Sequence, residues 1–171
     1  MAQILKPEVN AKEVISFDHT VRIDDPNADR KPARNVHSDY SQSGAEQRLI
    51  DVLGPSKAKR WAAGHYAFIN LWRPVEAPIN SAPLGFVTPS SVADADWITL
   101  DLIYPDRKGL VANKDHRCIY MSKMTTEEVA HFNIYDNRGR HSIAHSALDM
   151  IENPTINTVR KSIESRTLVR H

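Results

Sequence analysis

Short runs of β-branched, aromatic and other apolar residues recur along the whole chain, separated by polar breaks. The runs are rich in Val, Ile, Tyr, Phe, Trp and Thr, and they are bounded by Pro, Gly, Asn or Asp. This pattern predicts short β-strands joined by turns. The predicted strands are Val14–Phe17, Thr20–Ile23, Asn35–Asp39, Tyr66–Trp72, Leu84–Val87, Trp97–Ile103, Cys118–Met121, Val129–Tyr135, Ser142–Ala147 and Ile163–Val169.

One segment, residues 43–53, has the features of an amphipathic helix. Ser43 can cap its first turn, and Glu46 follows three residues later as in a capping box. An apolar stripe then runs from Leu49 to Leu53, and Gly54 ends the pattern. Two shorter helices are also expected, one beginning at Thr125 with Glu128 as its capping partner and one over residues 56–63.

Many short strands with few helices predict a mainly β fold, an antiparallel sandwich or barrel, rather than a βαβ fold. The chain has no GxGxxG and no GxxxxGK[ST] motif, so the dinucleotide-binding and P-loop folds lose their main support. No shift in composition marks a domain boundary, and the length suits one domain. We therefore expect a single domain over residues 1–171.

Charge and composition narrow the range of partners. Lys plus Arg number 22 against 21 Asp plus Glu, which argues against a nucleic-acid partner held by bulk electrostatics. No apolar run approaches the roughly 20 residues that span a bilayer, and the first residues lack the apolar core of a signal peptide. We expect no membrane partner and a cytoplasmic location. The single Cys118 excludes a Cys-rich zinc site, so a metal site here must use His and carboxylates.

The segment His37-Ser38-Asp39 carries the first candidate chemistry. Residues i and i+2 on a strand point to the same face, so the imidazole of His37 and the carboxylate of Asp39 can converge on one ion. This pair supplies two ligands of the 2-His-1-carboxylate facial triad of non-haem Fe(II) oxygenases. The motif alone is a weak signal because a chain with eight His and 13 Asp has a roughly even chance of containing such a pair.

A third ligand must come from another part of the chain. His145 is the favoured candidate because it lies in a late predicted strand that a sheet can bring back beside the first pair. His141, which follows Gly139 and Arg140 in a predicted turn, stays open as an alternative. His131 is as well explained as a histidine whose hydrogen bonds are made within a sheet as by a ligand role.

Arginines near the end of the chain are candidates for binding a carboxylate ligand, since the guanidinium group pairs with a carboxylate through two hydrogen bonds. Arg160 and Ser162 are two residues apart and would face the same side of a strand. Arg166 lies six residues after Arg160 and can share that face. The alternative is that these charges are solvated.

Two further residues are candidates for the cofactor pocket. Arg73 either reaches into the pocket or pairs with Glu76 at its rim. Asn70 shares a face with Trp72 and either hydrogen-bonds a carboxylate in the cavity or has a structural role.

An ordered series of short stretches covering about residues 13–170 resembles a known family, the Fe(II)- and 2-oxoglutarate-dependent oxygenases of microbial secondary metabolism. This family includes the cephamycin hydroxylation proteins, the fungal gibberellin desaturase and the aspergillic acid hydroxylase. The stretches are Val36-His37-Ser38-Asp39-Tyr40, Ile69-Asn70-Leu71-Trp72-Arg73-Pro74, Ala82-Pro83-Leu84, Asp115-His116-Arg117 with Tyr120, Glu128-Val129, Tyr135-Asp136, His145-Ser146-Ala147 and Arg160-Lys161-Ser162-Ile163-Glu164-Ser165-Arg166.

The resemblance implies a double-stranded β-helix, the jelly roll of cupin-like proteins. It implies Fe(II) ligands at His37, Asp39 and His145, and 2-oxoglutarate with its distal carboxylate on Arg160 or Arg166. It also implies a small secondary-metabolite substrate that is hydroxylated, desaturated or oxidatively cyclised, with succinate and CO2 as co-products.

The sequence departs from this family in two ways. Family members carry a longer segment before the HxD motif, whereas residues 1–36 precede it here, so the chain is interpreted as shortened at its N-terminus and as a possible homodimer. Cys118 stands where the family often has an aromatic residue. Two alternatives follow: a cupin-like isomerase or cyclase that does not oxidise 2-oxoglutarate, and a non-catalytic binding subunit.

Overall fold

The computed structural model describes residues 2–100, 107–111, 113–150 and 159–171. Residues 101–103, the end of the predicted strand Trp97–Ile103, lie outside this part of the chain. The helices and strands are α1 Ala2–Glu8, β1 Glu13–Ile23, β2 His37–Ser38, α2 Gln42–Leu53, α3 Pro55–Ala62, β3 Tyr66–Pro74, β4 Leu84–Val87, β5 Trp97–Leu100, β6 Arg107–Leu110, β7 Cys118–Tyr120, β8 Ala130–Asp136, β9 His145–Ala147 and β10 Lys161–Arg170.

The strands form two antiparallel sheets, which confirms the prediction of a mainly β fold with few helices. One sheet has the order β1-β10-β3-β8, and the other has the order β5-β6-β2-β9-β4-β7. The two predicted runs near the N-terminus are one strand, β1, with an irregularity between Ser16 and Asp18 that lets the strand bend. Predicted helices at 43–53 and 56–63 are confirmed as α2 and α3.

The start of α2 differs slightly from the prediction. The capping residue is Ser41 rather than Ser43, because the hydroxyl of Ser41 accepts a hydrogen bond from the backbone N–H of Gly44 at 3.1 Å. At the other end, Gly54 terminates the helix with a positive φ of 73° and an extended ψ of 159°, a conformation that glycine adopts readily. The segment between β2 and β3 is therefore a helical hairpin that packs Leu49 and Trp61 into the core.

The predicted helix beginning at Thr125 is wrong, because this segment is a single turn. The carboxylate of Glu128 does accept hydrogen bonds from the N–H and the hydroxyl of Thr125, at 2.7 and 3.0 Å. The chain then continues from Val129 directly into β8. A β-branched residue followed by alternating buried and exposed positions favours a strand over further helical turns.

The sequence did not predict α1, which contains Pro7 and is only seven residues long. Leu5 of this helix packs against Ala67, Ile69 and Leu71, so α1 covers the outer face of β3. Within the described ranges, no helix combines the length and the apolar composition needed to cross a bilayer.

Alternation along β3 and β10 separates the outer face from the space between the two sheets. On β3, Phe68 and Trp72 belong to the main apolar core, whereas Leu71 belongs to the outer cluster under α1. On β10, the residues that share the inner face with Leu168 are Ser162, Glu164 and Arg166. A row of polar and charged side chains therefore enters the space between the sheets beside the apolar core.

Candidate metal centre

Three buried side chains converge between the sheets: His37, Asp39 and His145. Strand β2 lies beside β9, and His37 is the direct cross-strand partner of His145. Their imidazole rings lie 4.6 Å apart between centroids. Asp39 follows β2 by one residue, and one ligand atom from each of the three side chains lies within 4.8 Å of the others. The structure thus brings together the three residues proposed from the sequence, with relative exposures of 4%, 3% and 4%.

Backbone carbonyls orient both imidazole rings in the same way. Nδ1 of His37 lies 2.8 Å from the carbonyl oxygen of Asn35, and Nδ1 of His145 lies 3.1 Å from that of Ile143. A carbonyl can only accept a hydrogen bond, so each Nδ1 carries a proton, and in its neutral form each ring keeps a lone pair on Nε2. Burial also lowers the pKa of His145, which favours this neutral form. Neutral imidazole is the form that binds a metal ion.

The two oxygens of Asp39 have different surroundings. Oδ2 accepts a hydrogen bond of 2.7 Å from the amide Nδ2 of Asn70. Oδ1 lies 3.8 Å from Nε2 of His37 and 3.6 Å from Nη2 of Arg166. Asn70 therefore holds one oxygen and leaves the other facing the imidazoles. Two imidazole nitrogens and one carboxylate oxygen are a donor set that suits Fe(II) with open coordination positions.

Arg160 is the buried cation of the same cavity, a narrow space whose walls include His37, His145 and Trp72. Its guanidinium lies over the Trp72 ring, 5.1 Å from the centroid, and donates to the carbonyl of Ala82. Among the residues that the structure describes, the Nε atoms of Arg160 and Arg166 both have no hydrogen-bond partner. The ion pairs found in this part of the chain include three of Arg166 and none of Arg160. Burial lowers the pKa of Arg160 to about 10, so the group still carries a charge at neutral pH.

Ser162 completes this cationic side of the cavity. Its hydroxyl lies 3.4 Å from Nη2 of Arg160, as the spacing of two residues on one strand predicts. A desolvated guanidinium with an unpartnered nitrogen and an adjacent hydroxyl can bind a carboxylate.

Arg166 has a different environment, although it shares the face of Arg160. Its Nη1 lies 3.0 Å from Asp18, and its Nη2 lies 3.0 Å from Glu164. Together with the nearby Asp39, these carboxylates raise the pKa of Arg166 despite its burial. The structure therefore distinguishes two arginines that the sequence left as equal candidates: Arg166 is engaged by carboxylates, and Arg160 is not.

Glu164 and Arg22 also line this cavity, and sequence reasoning singled out neither of them. Glu164 is the more deeply buried of the two. It is 6% exposed and lies on the inner face between Ser162 and Arg166. Burial and the neighbouring Asp39 raise its pKa, and Arg166 opposes that shift. The spacing of two residues from Ser162 was a usable signal, because it places Glu164 on the same face.

Arg73 lies on the other face of β3 and donates a hydrogen bond of 3.0 Å to the carbonyl of Thr126. Asn70 and Arg73 are an odd number of residues apart, so a regular strand turns them to opposite faces. The alternative partner Glu76 is instead 2.6 Å from Lys161. The geometry gives no support to a role for Arg73 in the cavity. The other ligand candidates, His131 and His141, are both exposed.

A second, larger cavity of about 600 Å³ adjoins the first and shares Trp72 and Leu84 with it. Its walls are mostly apolar and include Ile79, Phe86 and Met124. The ring of Phe86 packs on Phe132, which in turn packs on His145 at 4.8 Å. Aromatic side chains thus connect the wall of the apolar cavity to the imidazole of His145.

The chain is similar in sequence to a family model and to several known proteins. Residues 1–170 match the family model described as oxidoreductase/YMDC permease-like domain. A fungal relative called alpha-ketoglutarate-dependent dioxygenase phiK is 29% identical over 188 residues, covering 99% of this chain and 67% of that protein. The hydroxylase/desaturase efuI of Hormonema carpetanum is 34% identical over 158 residues, covering 81% of this chain and 52% of that protein. The chain thus spans between about half and two thirds of the length of these relatives.

The fold is also that of a solved structure. The iron and alpha-ketoglutarate-dependent endoperoxidase NvfI superposes with a TM-score of 0.90 at 24% sequence identity. The superposition covers 99% of this chain and 66% of that protein. The arrangement of two antiparallel sheets described above is therefore also the fold of NvfI.

Proposed function

Because this chain belongs to the family described as oxidoreductase/YMDC permease-like domain, we propose that it is a non-haem Fe(II)- and 2-oxoglutarate-dependent oxygenase that acts on a small metabolite. We further propose that its two sheets form a double-stranded β-helix, or jelly roll, in one domain. The curated relatives named as a dioxygenase and as a hydroxylase/desaturase support the proposed activity.

The observation that carries the proposal is the convergence of His37, Asp39 and His145 in one buried cavity beside Arg160. In the proposal, Nε2 of each imidazole and Oδ1 of Asp39 hold the iron. Asn70 fixes Asp39 through its hydrogen bond to Oδ2. The geometry fits because the remaining polar atoms of the three ligands are already hydrogen-bonded. Each Nδ1 bonds to a backbone carbonyl and Oδ2 of Asp39 bonds to Asn70, so Nε2 of each ring and Oδ1 face each other.

Arg160 and Ser162 bind the distal carboxylate of 2-oxoglutarate in the proposal. The Trp72 ring and the Ala82 carbonyl already hold the Arg160 guanidinium in position, so its side chain loses little conformational freedom when 2-oxoglutarate binds. Its Nε has a hydrogen to donate. When bound, iron and 2-oxoglutarate supply the oxidation, with succinate and CO2 as co-products.

The larger apolar cavity supports a small-molecule substrate of limited polarity. Its volume of about 600 Å³ falls within the range of pockets that enclose a drug-sized ligand. Trp72 forms a wall of both cavities, and it would exclude water from the proposed iron site on the substrate side. Hydroxylation, desaturation and oxidative cyclisation are all reactions of such a site.

The proposal is tested by anaerobic titration of the protein with Fe(II) and then with 2-oxoglutarate. We expect a weak visible charge-transfer band that saturates at one equivalent and is lost in His37→Ala. Iron binding without the band would support the metal-dependent isomerase or cyclase instead. Folded protein that binds neither ligand would support the non-catalytic binding subunit.

A further inference from the structure

Arg166 lies between two buried carboxylates, and it is closer to one than to the other. Its Nη2 is 3.0 Å from Oε1 of Glu164 and 3.6 Å from Oδ1 of Asp39. Its position is fixed on the sheet, since Arg166 is the cross-strand partner of Asn70 on β3 and of Asp18 on β1. The same nitrogen therefore lies within ion-pair distance of two carboxylates and is nearer to Glu164. The contact with Glu164 is an ion pair, since Oε1 of Glu164 makes no hydrogen bond among the described residues.

The oxygen that Arg166 approaches is the one that the proposed iron needs. Oδ2 of Asp39 is occupied by Asn70 at 2.7 Å, which leaves Oδ1 as the oxygen that faces the imidazoles. A hydrogen bond between a guanidinium and a carboxylate is strong, because both groups are charged. In a buried site such a bond to Oδ1 would compete directly with a cation for the same lone pairs. An Arg166 free to approach Asp39 would thus oppose metal binding.

We propose that Glu164 is a positioning residue that holds Nη2 of Arg166 and thereby keeps Oδ1 of Asp39 available to a divalent cation. This inference rests on the proposed function, since it takes Asp39 as a metal ligand. Glu164 suits the task because it is buried beside Arg166 on the same strand face, and it lines the same cavity as His37 and His145. Asp18 accepts a hydrogen bond of 3.0 Å from the other guanidinium nitrogen, Nη1, so a hydrogen bond on one side and an ion pair on the other hold Arg166.

The test compares the Co(II) affinities of five proteins, measured through the visible absorption of the bound ion. Glu164→Gln keeps the size of the side chain and removes its charge, so Arg166 turns to Asp39. We expect Co(II) to bind roughly 10- to 100-fold more weakly, as for the loss of other groups that orient metal ligands. Adding Arg166→Gln to Glu164→Gln removes the competitor, so the double variant regains affinity close to that of the unmodified protein. Glu76→Gln, which breaks an exposed ion pair with Lys161, is the matched control and leaves affinity unchanged.

A merely structural role for Glu164 would not predict that the second substitution restores Co(II) affinity. Removing another buried side chain would not repair a cavity that the first substitution had damaged. If Glu164→Gln does not fold, the single variant Arg166→Gln tests the inference. The inference predicts that this variant binds Co(II) at least as tightly as the unmodified protein. Unchanged affinity in Glu164→Gln, or weaker binding in Arg166→Gln, overturns the inference and leaves the proposed function standing. Absence of Co(II) binding to the unmodified protein overturns both.

Discussion

His37 and His145 occupy facing positions on neighbouring strands, and each donates its Nδ1 proton to the carbonyl oxygen two residues before it. The two rings are thus held in the same tautomer by the same local geometry, although they come from opposite ends of the chain. Each acceptor, Asn35 for one and Ile143 for the other, belongs to the backbone and cannot be lost by a side-chain change. This pairing prepares two neutral imidazole nitrogens for one ion.

Removing one of these imidazoles is the first test of the ligand set. We expect His145→Ala to weaken divalent metal binding by more than about 100-fold, exceeding the loss typical of outer-shell partners. Calorimetric titration with Mn(II) measures the change. His141→Ala is the matched control, because His141 is exposed and was an alternative ligand on sequence grounds. Equal losses in the two variants would contradict the assignment.

Arg160→Met tests the proposed carboxylate anchor. Loss of a charge-assisted hydrogen bond costs about 1.5–3 kcal/mol, so 2-oxoglutarate should bind roughly 10- to 100-fold more weakly. Mn(II) affinity should not change, because the guanidinium is not among the three proposed ligands. The measurement is 2-oxoglutarate binding to the Mn(II)-loaded protein. Lys161→Met, at the next position of the chain, is the control, and a loss of the same size there would contradict a specific role for Arg160.

Asn70→Leu tests how Asp39 is held. The substitution removes the 2.7 Å hydrogen bond and leaves a buried carboxylate oxygen without its donor. We expect the free energy of unfolding to fall by about 1–3 kcal/mol and metal affinity to fall roughly 10- to 100-fold. Urea unfolding and Mn(II) titration measure the two effects. Metal affinity equal to that of the unmodified protein would show that Asp39 does not need this support.

Asp96 is expected to make stability depend on pH through a contact far from the cavity. The backbone N–H of Ala93, together with His116 and Asn113, holds the pKa of this carboxyl below its ordinary value. A lowered folded-state pKa stabilises the protein above the unfolded-state pKa of about 3.9, and the effect is lost as the pH falls through the folded value. Asp96→Asn should therefore unfold at lower urea than the unmodified protein at pH 7.

The same comparison in strong acid should show a smaller difference between the two proteins, because the folded-state carboxyl also becomes protonated as the pH falls through its lowered pKa. Asp94→Asn, on the same short helical turn, is the control. A destabilisation by Asp96→Asn that is equal at both pH values would contradict the electrostatic explanation.

The sequence predicts local geometry well because alternation on a strand does not depend on the rest of the fold. It places His37 with Asp39, and Arg160 with Ser162, on one face each, and the structure agrees. The same rule excludes a shared face for Asn70 and Arg73, and applying it consistently would have removed Arg73 as a candidate.

The pairing of strands that are distant in the sequence, and the ion-pair partners of the buried arginines, could not be predicted from the sequence. Several His were available as a third ligand, and only the pairing of β9 with β2 selects His145. The difference between Arg160 and Arg166 depends on Asp18, which reaches the site because β1 pairs with β10. The helix α1 was missed because its seven residues include a proline and are held by packing of Leu5 on β3 rather than by their own helix propensity.

The central claim is that His37, Asp39 and His145 hold one divalent cation beside Arg160. It is tested most directly by a crystal structure of the protein soaked anaerobically with Mn(II) and 2-oxoglutarate. The account predicts one ion bonded to Nε2 of both imidazoles and to Oδ1 of Asp39, with a carboxylate of 2-oxoglutarate on the Arg160 guanidinium. An ion bound elsewhere, or a well-ordered cavity with no ion while 2-oxoglutarate lies on Arg166, would contradict it.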